Sequence, residues 1–536
     1  QRIINFKIKY TMKNKILLFS IIGLLSSCET EDKVYNPQYG EGYYILTPKV
    51  SNKPRINGPE VYGVRPKHEF MYSIPVTGQR PMEIFVTGLP EGLSYDMEKN
   101  IISGILKDTI NKTYTVNFKA VNSLGSAERK FDIVVGDEIA LTPPMGWSSW
   151  ICYKKNVTQD GVLKQAKALK SVGLDRYGYS YVNIDDGWQG NLRGGKYNAI
   201  MPDNEKFPDI VELSENIHDM GLKFGIYSTP WISSYAGYIG GSSNNEDGKW
   251  DKSMLINFKK KEIEGIGSRH GKYKMDDNDA KQWADWKIDY MKYDWNPNDS
   301  ASIVRMAIAL KESGRDIVYS ISNSCPLSEA VRCKEYVQVF RTGGDIRARW
   351  SKDREHLNLL DNWKNHNKWL REGYEGGPGH TPDADFLMVG LQKYGSDDSL
   401  TVDELYHHVS SFMLWGTPLL LSCDLNALSE FEMSLLTNVE MLDINQDRLS
   451  KPAKHYDHGN GIELLVKDLS DGSIAMGIFN FNNEETSVEV PWSEIGISGK
   501  KNIRDVWRQK NIGTYKNAFK TMVRPHGCVV VKINDK

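Results

Sequence analysis

Tyr290-Met291-Lys292-Tyr293-Asp294-Trp295 decides the fold. It is a short apolar run ending on a carboxylate. Similar runs recur on both sides of it, separated by longer stretches with apolar residues at i, i+3 and i+4. Upstream lie Pro144-Met145-Gly146-Trp147, Tyr181-Val182-Asn183-Ile184 and Lys223-Phe224-Gly225-Ile226-Tyr227. Downstream lie Ile317-Val318-Tyr319-Ser320, Tyr336-Val337-Gln338-Val339-Phe340, a segment near Tyr374-Glu375-Gly376-Gly377, and Leu419-Leu420-Leu421-Ser422. Helical spacing over 160–172 and 209–220 fills two of the intervals. Eight strands alternating with helices predict an α/β (β/α)8 TIM barrel over 139–450 rather than an open doubly wound sheet.

Within that barrel, 232–283 is too long for a simple βα connection and is rich in Gly, Ser, Asn and charge. Long loops in compact domains are commonly lids or binding loops. This one follows the third strand at its C-terminal end, where it would wall an active site.

Outside the barrel the pattern changes, as a chain of 536 residues requires, because single cores stop growing at roughly 250–300 residues. Residues 45–138 contain short alternating runs such as Glu83-Ile84-Phe85-Val86 and Phe131-Asp132-Ile133-Val134-Val135 between turn signals, which predicts an N-terminal β-sandwich. It resembles immunoglobulin-like domains placed before bacterial surface enzymes. Residues 451–536 return to short β runs and predict a C-terminal antiparallel β domain. The polar segment 29–44 reads as a linker.

The N-terminus carries a targeting signal. Met12-Lys13-Asn14-Lys15 is basic, Ile16 to Leu25 is apolar, and Leu25-Ser26-Ser27-Cys28 resembles a bacterial lipobox. The apolar run is too short to span a bilayer. Residues 1–28 are therefore expected to be a signal peptide, with Cys28 lipidated at the mature start. The expected location is the outer membrane of a Gram-negative bacterium, on its periplasmic or surface face, with the membrane as a partner through this anchor. Five further cysteines, Cys152, Cys325, Cys333, Cys423 and Cys528, are an odd number, so at least one stays a thiol. Cys325 with Cys333 is left open as a pair.

The formal net charge is -2 and no Lys/Arg cluster occurs, so no nucleic-acid partner is expected. No Cys/His spacing suits a metal, and His380, Asp383 and Asp385 on one loop are too few donors of too mixed a kind to predict one. No cofactor is expected. The 14 Trp and 27 Tyr suit sugar binding or an ordinary core equally well. The sequence leaves the oligomeric state open.

The chemistry lies at the strand ends. Trp147, Asp185, Asp186, Tyr227, Asp294, Arg341, Asp345 and Asp385 all fall just at or after barrel strands, and strand C-termini converge on one face of such a barrel. Any single Asp there has a plainer reading as a helix N-cap. Several together suggest a pocket of carboxylates. Glycoside hydrolysis needs two flanking carboxyl groups, and Asp294 and Asp345 are the candidates. Lys292, two residues before Asp294, shares its face of the strand and would favour its ionised form.

Leu141-Thr142-Pro143-Pro144-Met145-Gly146-Trp147-Ser148-Ser149-Trp150, Asn183-Ile184-Asp185-Asp186-Gly187-Trp188, Lys292-Tyr293-Asp294-Trp295, Asp345-Ile346 after Arg341, and Leu442-Asp443-Ile444-Asn445-Gln446-Asp447 resemble the signatures of glycoside hydrolase family 27 over about 140–535. The resemblance implies a retaining α-galactosidase acting on a carbohydrate substrate, with Asp294 as nucleophile and Asp345 as general acid/base. It implies that Asp185 and Asp186 bind the C4 and C6 hydroxyls with Lys292 assisting. Trp147 would support the sugar face, and Tyr227, Arg341 and Asp385 would complete the pocket. Two departures stand out. Ser322 replaces the glutamate of the common Cys-Glu-Trp pattern, on a loop that the resemblance places against the C2 substituent. Gly379-His380-Thr381-Pro382-Asp383-Ala384-Asp385 replaces the usual seventh-strand motif. An α-N-acetylgalactosaminidase or another α-glycosidase is the alternative within the family, and a catalytically inactive surface glycan-binding protein is the alternative outside it.

Overall fold

A computed structural model describes residues 33–109, 111–255, 269–351, 356–372, 376–391 and 399–535. The signal peptide, Cys28 and residues 29–32 lie outside the described residues.

The centre is a parallel eight-stranded sheet. Its strands are Met145–Ser148, Tyr181–Asn183, Lys223–Ser228, Tyr290–Asp294, Val318–Ser322, Val339–Arg341, Thr381–Asp383 and Leu419–Leu421, in that spatial order, with the eighth returning to the first. The first pairs with the eighth through Met145↔Leu419, and the fourth with the fifth through Asp294↔Ser322. Between the seventh and eighth, the Leu387 N–H donates to the Leu420 carbonyl at 2.9 Å and the Ala384 N–H to Thr417 Oγ1 at 2.9 Å, completing the barrel. These strands are buried on both faces, so they read as continuous apolar runs rather than alternating ones. The interior is tight. At Gly225 a Cβ would stand 2.0 Å from Asn183 Oδ1, so only glycine fits.

The helix ends bear on the reading of the strand-end aspartates. Thr158, Asp209 and Asp299 cap the helices Gln159–Ser171, Ile210–Asp219 and Ser300–Glu312, and Thr401 with Glu404 forms a capping box on Val402–Trp415. Asp185, Asp186, Asp294 and Asp385 cap none of these, which removes the plainer explanation for them.

Several expectations are corrected. The seventh strand is Thr381–Asp383, not the segment near 374–377, of which Tyr374 and Glu375 lie outside the described residues. Tyr336 ends a helix and the sixth strand begins only at Val339, because Ala330–Tyr336 packs its apolar side onto the barrel first. The insertion 232–283 forms a small antiparallel pair, Ser242–Ser243 with Tyr273–Lys274, and its last residues belong to the barrel helix Asp276–Asp285. Its residues 256–268 lie outside the described residues.

The N-terminal domain stacks a four-stranded sheet, containing the long hairpin Lys112–Asn122 and Gly125–Val135, on a three-stranded one. Phe70, Tyr72, Phe118 and Phe131 fill the space between. The C-terminal domain pairs a six-stranded with a three-stranded sheet. The linker is not a free tether. Val34–Tyr35 adds as a parallel edge strand beside Lys520 and Thr521, and Tyr35 Oη donates to Asp505 at 2.7 Å. Tyr44 stacks on Tyr406 with ring centroids 5.5 Å apart and donates to Asp403 at 2.5 Å.

The N-terminal domain docks on the end of the barrel where strands begin. Glu69 pairs with Arg315 at 2.5 Å, Arg65 and His68 meet Asp316 at 3.1 and 2.8 Å, and Tyr62 bonds Lys223. Lys223 opens the third strand and Asp316 precedes the fifth, so this domain sits opposite the strand C-termini.

Candidate active site

The strand C-termini bring Asp185, Asp186, Tyr227, Lys292, Asp294, Asp345 and Asp385 around one cavity of about 220 Å³. Ser322 and Arg341 lie one layer deeper, around a void of about 20 Å³ that shares Lys292 and Asp385 with the upper cavity. Trp147 is not brought in. Its indole is buried in the barrel wall and donates to the Cys423 carbonyl at 2.7 Å. Trp150, which opens the short helix after the first strand, lines the cavity instead.

Lys292 and Arg341 organise the carboxylates. Lys292 Nζ donates to Asp185 Oδ2 at 2.8 Å and lies 5.7 and 5.4 Å from the ring centroids of Tyr227 and Phe386. Burial alone would lower its pKa, but Asp185, Asp294 and Asp345 outweigh burial and hold it above the ordinary lysine range. Arg341 reaches Asp385 Oδ1 at 2.9 Å, Asp345 Oδ1 at 3.3 Å and Ser322 Oγ at 3.4 Å.

Asp385 has φ +78°, strained for a residue with a Cβ. It is held there from three sides: its N–H donates to Asp383 Oδ1 at 2.8 Å, its Oδ2 accepts from the Ile346 N–H at 2.8 Å, and Arg341 takes its Oδ1. With both oxygens engaged by the chain, Asp385 positions Arg341 and the loop that carries Asp345. Burial and Asp345 push its pKa up to about 6 against the pull of Arg341.

Two buried carboxylates keep an oxygen without a protein partner. Asp186 Oδ2 accepts from the Ala236 N–H at 2.7 Å while Oδ1 has none, and burial pushes its pKa up to about 7. Asp294 Oδ2 accepts from Tyr227 Oη at 3.3 Å while Oδ1 has none. Burial raises the Asp294 pKa to about 6 despite Lys292, with Asp345 and Asp185 adding to the rise. Such groups cost free energy unless a ligand hydroxyl or reacting carbon meets them. Asp345 is different. Its side chain is 42% exposed. Burial would raise its pKa, but Arg341, Lys292 and Arg347 together hold it below the usual carboxylate range.

The insertion does wall the cavity, through Tyr235, whose Oη accepts from Asn323 Nδ2 at 3.0 Å, and through the Ala236 amide on Asp186. Tyr235, Asn323, Arg347, Phe386 and Trp150 are lining residues that the sequence reading did not single out. Asn323 adjoins Ser322 and Arg347 follows Asp345 by two, so proximity to a flagged residue was the signal available. Tyr235 had none beyond the length of its loop. His380 precedes the seventh strand and faces Glu138 at 3.2 Å, away from Asp383 and Asp385. Among the described residues no group of three or more His, Cys, Asp or Glu is placed to hold a metal. Cys325 and Cys333 approach to 3.5 Å as thiols beneath the Ser322 loop.

The family model described as Alpha galactosidase A matches residues 142–258 and 259–447, and that of the Alpha galactosidase C-terminal beta sandwich domain matches 459–533. An immunoglobulin-type domain model matches 53–136. Alpha-galactosidase 2 of Arabidopsis thaliana is 28% identical over 403 residues, 74% of this chain and 90% of that protein. A crystal structure from Bacteroides fragilis, provisionally described as an alpha-galactosidase, superposes with TM-score 0.80 at 29% identity, covering 92% of this chain and 100% of that one. A family 27 β-L-arabinopyranosidase of Geobacillus stearothermophilus gives TM-score 0.61 at 25% identity over 74% of this chain and 97% of that one.

Proposed function

Because the chain belongs to glycoside hydrolase family 27, we propose that it is a retaining α-galactosidase that removes terminal α-D-galactosyl residues from oligo- or polysaccharides by double displacement. The observation that carries the reading is the convergence of Asp294 and Asp345 on one cavity, each with a different electrostatic environment. Asp294, with a free buried oxygen, attacks the anomeric carbon as the leaving oxygen takes a proton from Asp345. Asp345 then removes a proton from water, which opens the glycosyl-enzyme. Asp186 Oδ1 and the Asp185–Lys292 pair accept and donate to sugar hydroxyls, Tyr227 orients Asp294, and Arg341 with Asp385 sets the position of Asp345. Trp150 takes the sugar-face role expected of Trp147.

Asp294→Ala should lower kcat on p-nitrophenyl α-galactoside by at least about three orders of magnitude while leaving sugar binding measurable. NMR of the first product formed should show α-galactose. First-formed β-galactose would refute retention, and undiminished turnover in the variant would remove Asp294 as nucleophile and revive a glycan-binding role.

Ser322 supports a second substrate within the same chemistry, an α-N-acetylgalactosaminide. Its small side chain, bonded to Arg341, stands where the common family pattern has glutamate. Parallel kinetics on the galactoside and the N-acetylgalactosaminide separate the two. Export with a lipid anchor at Cys28 is part of the same proposal, supported by the basic start, apolar run and lipobox. Cys28→Ser should release the protein from the membrane fraction.

A further inference from the structure

Two cations at the mouth of the cavity stand apart from the ion pairs of its floor. Arg347 lines the cavity beside Asp345. It is held in place: its backbone N–H donates to the Leu357 carbonyl at 3.0 Å, Nη1 donates to the Ile346 carbonyl at 2.8 Å, and Nη2 meets His356 Nε2 at 3.0 Å. Lys154 carries its Nζ 5.2 Å from the ring centroid of Trp150, another lining residue. Among the described residues neither cation has a carboxylate within ion-pair distance. Burial and the nearness of Arg347 push the Lys154 pKa below its ordinary range against the more distant pull of Asp185 and Asp345, so two like charges are gathered here.

The general acid must stand beside the leaving oxygen, so a side chain two residues beyond Asp345 on the same loop faces the departing sugar rather than the galactosyl ring. We propose that the leaving-group subsite takes an anionic saccharide, bearing a carboxylate or a sulfate ester, whose charge is met by Arg347 and Lys154. This rests on the α-galactosidase reading and specifies its substrate class. The anion would also act on the acid itself. Arg341, Lys292, Arg347 and Lys154 face Asp345 with positive charge, and Asp294 and Asp385 with negative charge. An anion seated on Arg347 offsets one of the pulls that keep Asp345 ionised and so favours its protonated, donating form.

The test compares kcat/KM at low ionic strength on three α-galactosyl disaccharides that share one linkage. One carries a uronate leaving group, one its neutral primary-alcohol counterpart, and one a sulfate ester on that alcohol. The expectation is a preference of about tenfold or more for one or both anionic substrates, shrinking with added salt. The ratio should collapse toward one in Arg347→Met and Lys154→Met, whatever happens to the absolute rates. The basic limb of the kcat profile should lie at higher pH for the preferred anionic substrate. Preference for only the uronate or only the sulfate ester supports the proposal and names the anion. Equal kcat/KM for all three in the wild type, or an anionic preference that survives the double substitution, overturns it. If the wild type also fails on p-nitrophenyl α-galactoside, the galactosidase reading has failed instead.

Discussion

At the scale of single residues, the surroundings of the two carboxyls proposed for catalysis favour protonation in the order opposite to the one the proposed chemistry uses. Asp294 has a pKa raised to about 6 and Asp345 one held low, so the single proton of the resting pair favours Asp294. The proposed double displacement needs one proton in the pair, on Asp345. As pH rises through about 6 that last proton leaves, and kcat/KM on a neutral substrate should fall. A pH profile flat from 5 to 8 would contradict this assignment. The two tryptophans of the first motif should also part company. Trp147→Ala empties a fully buried site and should cost about 3–5 kcal/mol of stability. Trp150→Ala, at a partly buried ring packed against the core, should cost less stability than Trp147→Ala and roughly 1–2 kcal/mol of transition-state stabilisation, read as kcat/KM.

At the scale of elements, the strap formed by residues 34–46 belongs to the folded body. Removing 33–46 strips an edge strand, the buried ring of Tyr44 and its bond to Asp403, and should lower stability by about 2–4 kcal/mol. Because the strap touches the C-terminal sheet and the helix Val402–Trp415 rather than the cavity, kcat at 25 °C should be unaffected. Differential scanning calorimetry beside a rate assay checks both halves. The strap also marks a limit of sequence reading. A two-residue strand has no periodicity, and its partner lies almost 500 residues away along the chain. The barrel strands were legible because burial on both faces makes them continuous apolar runs. The seventh was misplaced because Thr381-Pro382-Asp383 is three residues long and polar at both ends. Asp185, Asp186, Lys292, Asp294, Arg341 and Asp345 were legible for a related reason: strand ends are where a barrel must place its chemistry. Trp147 was expected at the sugar face from the family resemblance and its place at the strand end, yet the chain turns at Ser149 and delivers the later indole to the cavity. Tyr235 arrives from an insertion whose path depends on the tertiary fold, so no local pattern could place it.

At the scale of the whole molecule, the N-terminal domain and the candidate active site occupy opposite ends of the barrel. Ion pairs cross the docking surface, Glu69 with Arg315 and Arg65 and His68 with Asp316, and behind it on the barrel Asp289 meets Arg315 and His218 at 2.7 Å each. Burial would raise both aspartate pKa values, but Arg315 and His218 hold Asp289 far below its ordinary range, and His68 and Arg65 hold Asp316 below it. A carboxyl whose folded pKa is depressed stabilises above its unfolded value, near 3.9, and that contribution disappears as pH falls through the folded value. Acid should therefore loosen this interface, Asp316 failing before Asp289, because Asp289 is held lower. Asp316→Ala should bring part of that loosening to neutral pH, since it leaves Arg65 and His68 without their shared partner, at a cost of about 2–3 kcal/mol. Limited proteolysis near 137–140, where the two domains join, reads the effect directly. Cleavage should be faster in the variant at pH 7 than in the wild type, and the rates should converge below the pH at which Asp316 is protonated. Equal rates at neutral pH would mean that these ion pairs do not hold the domains together.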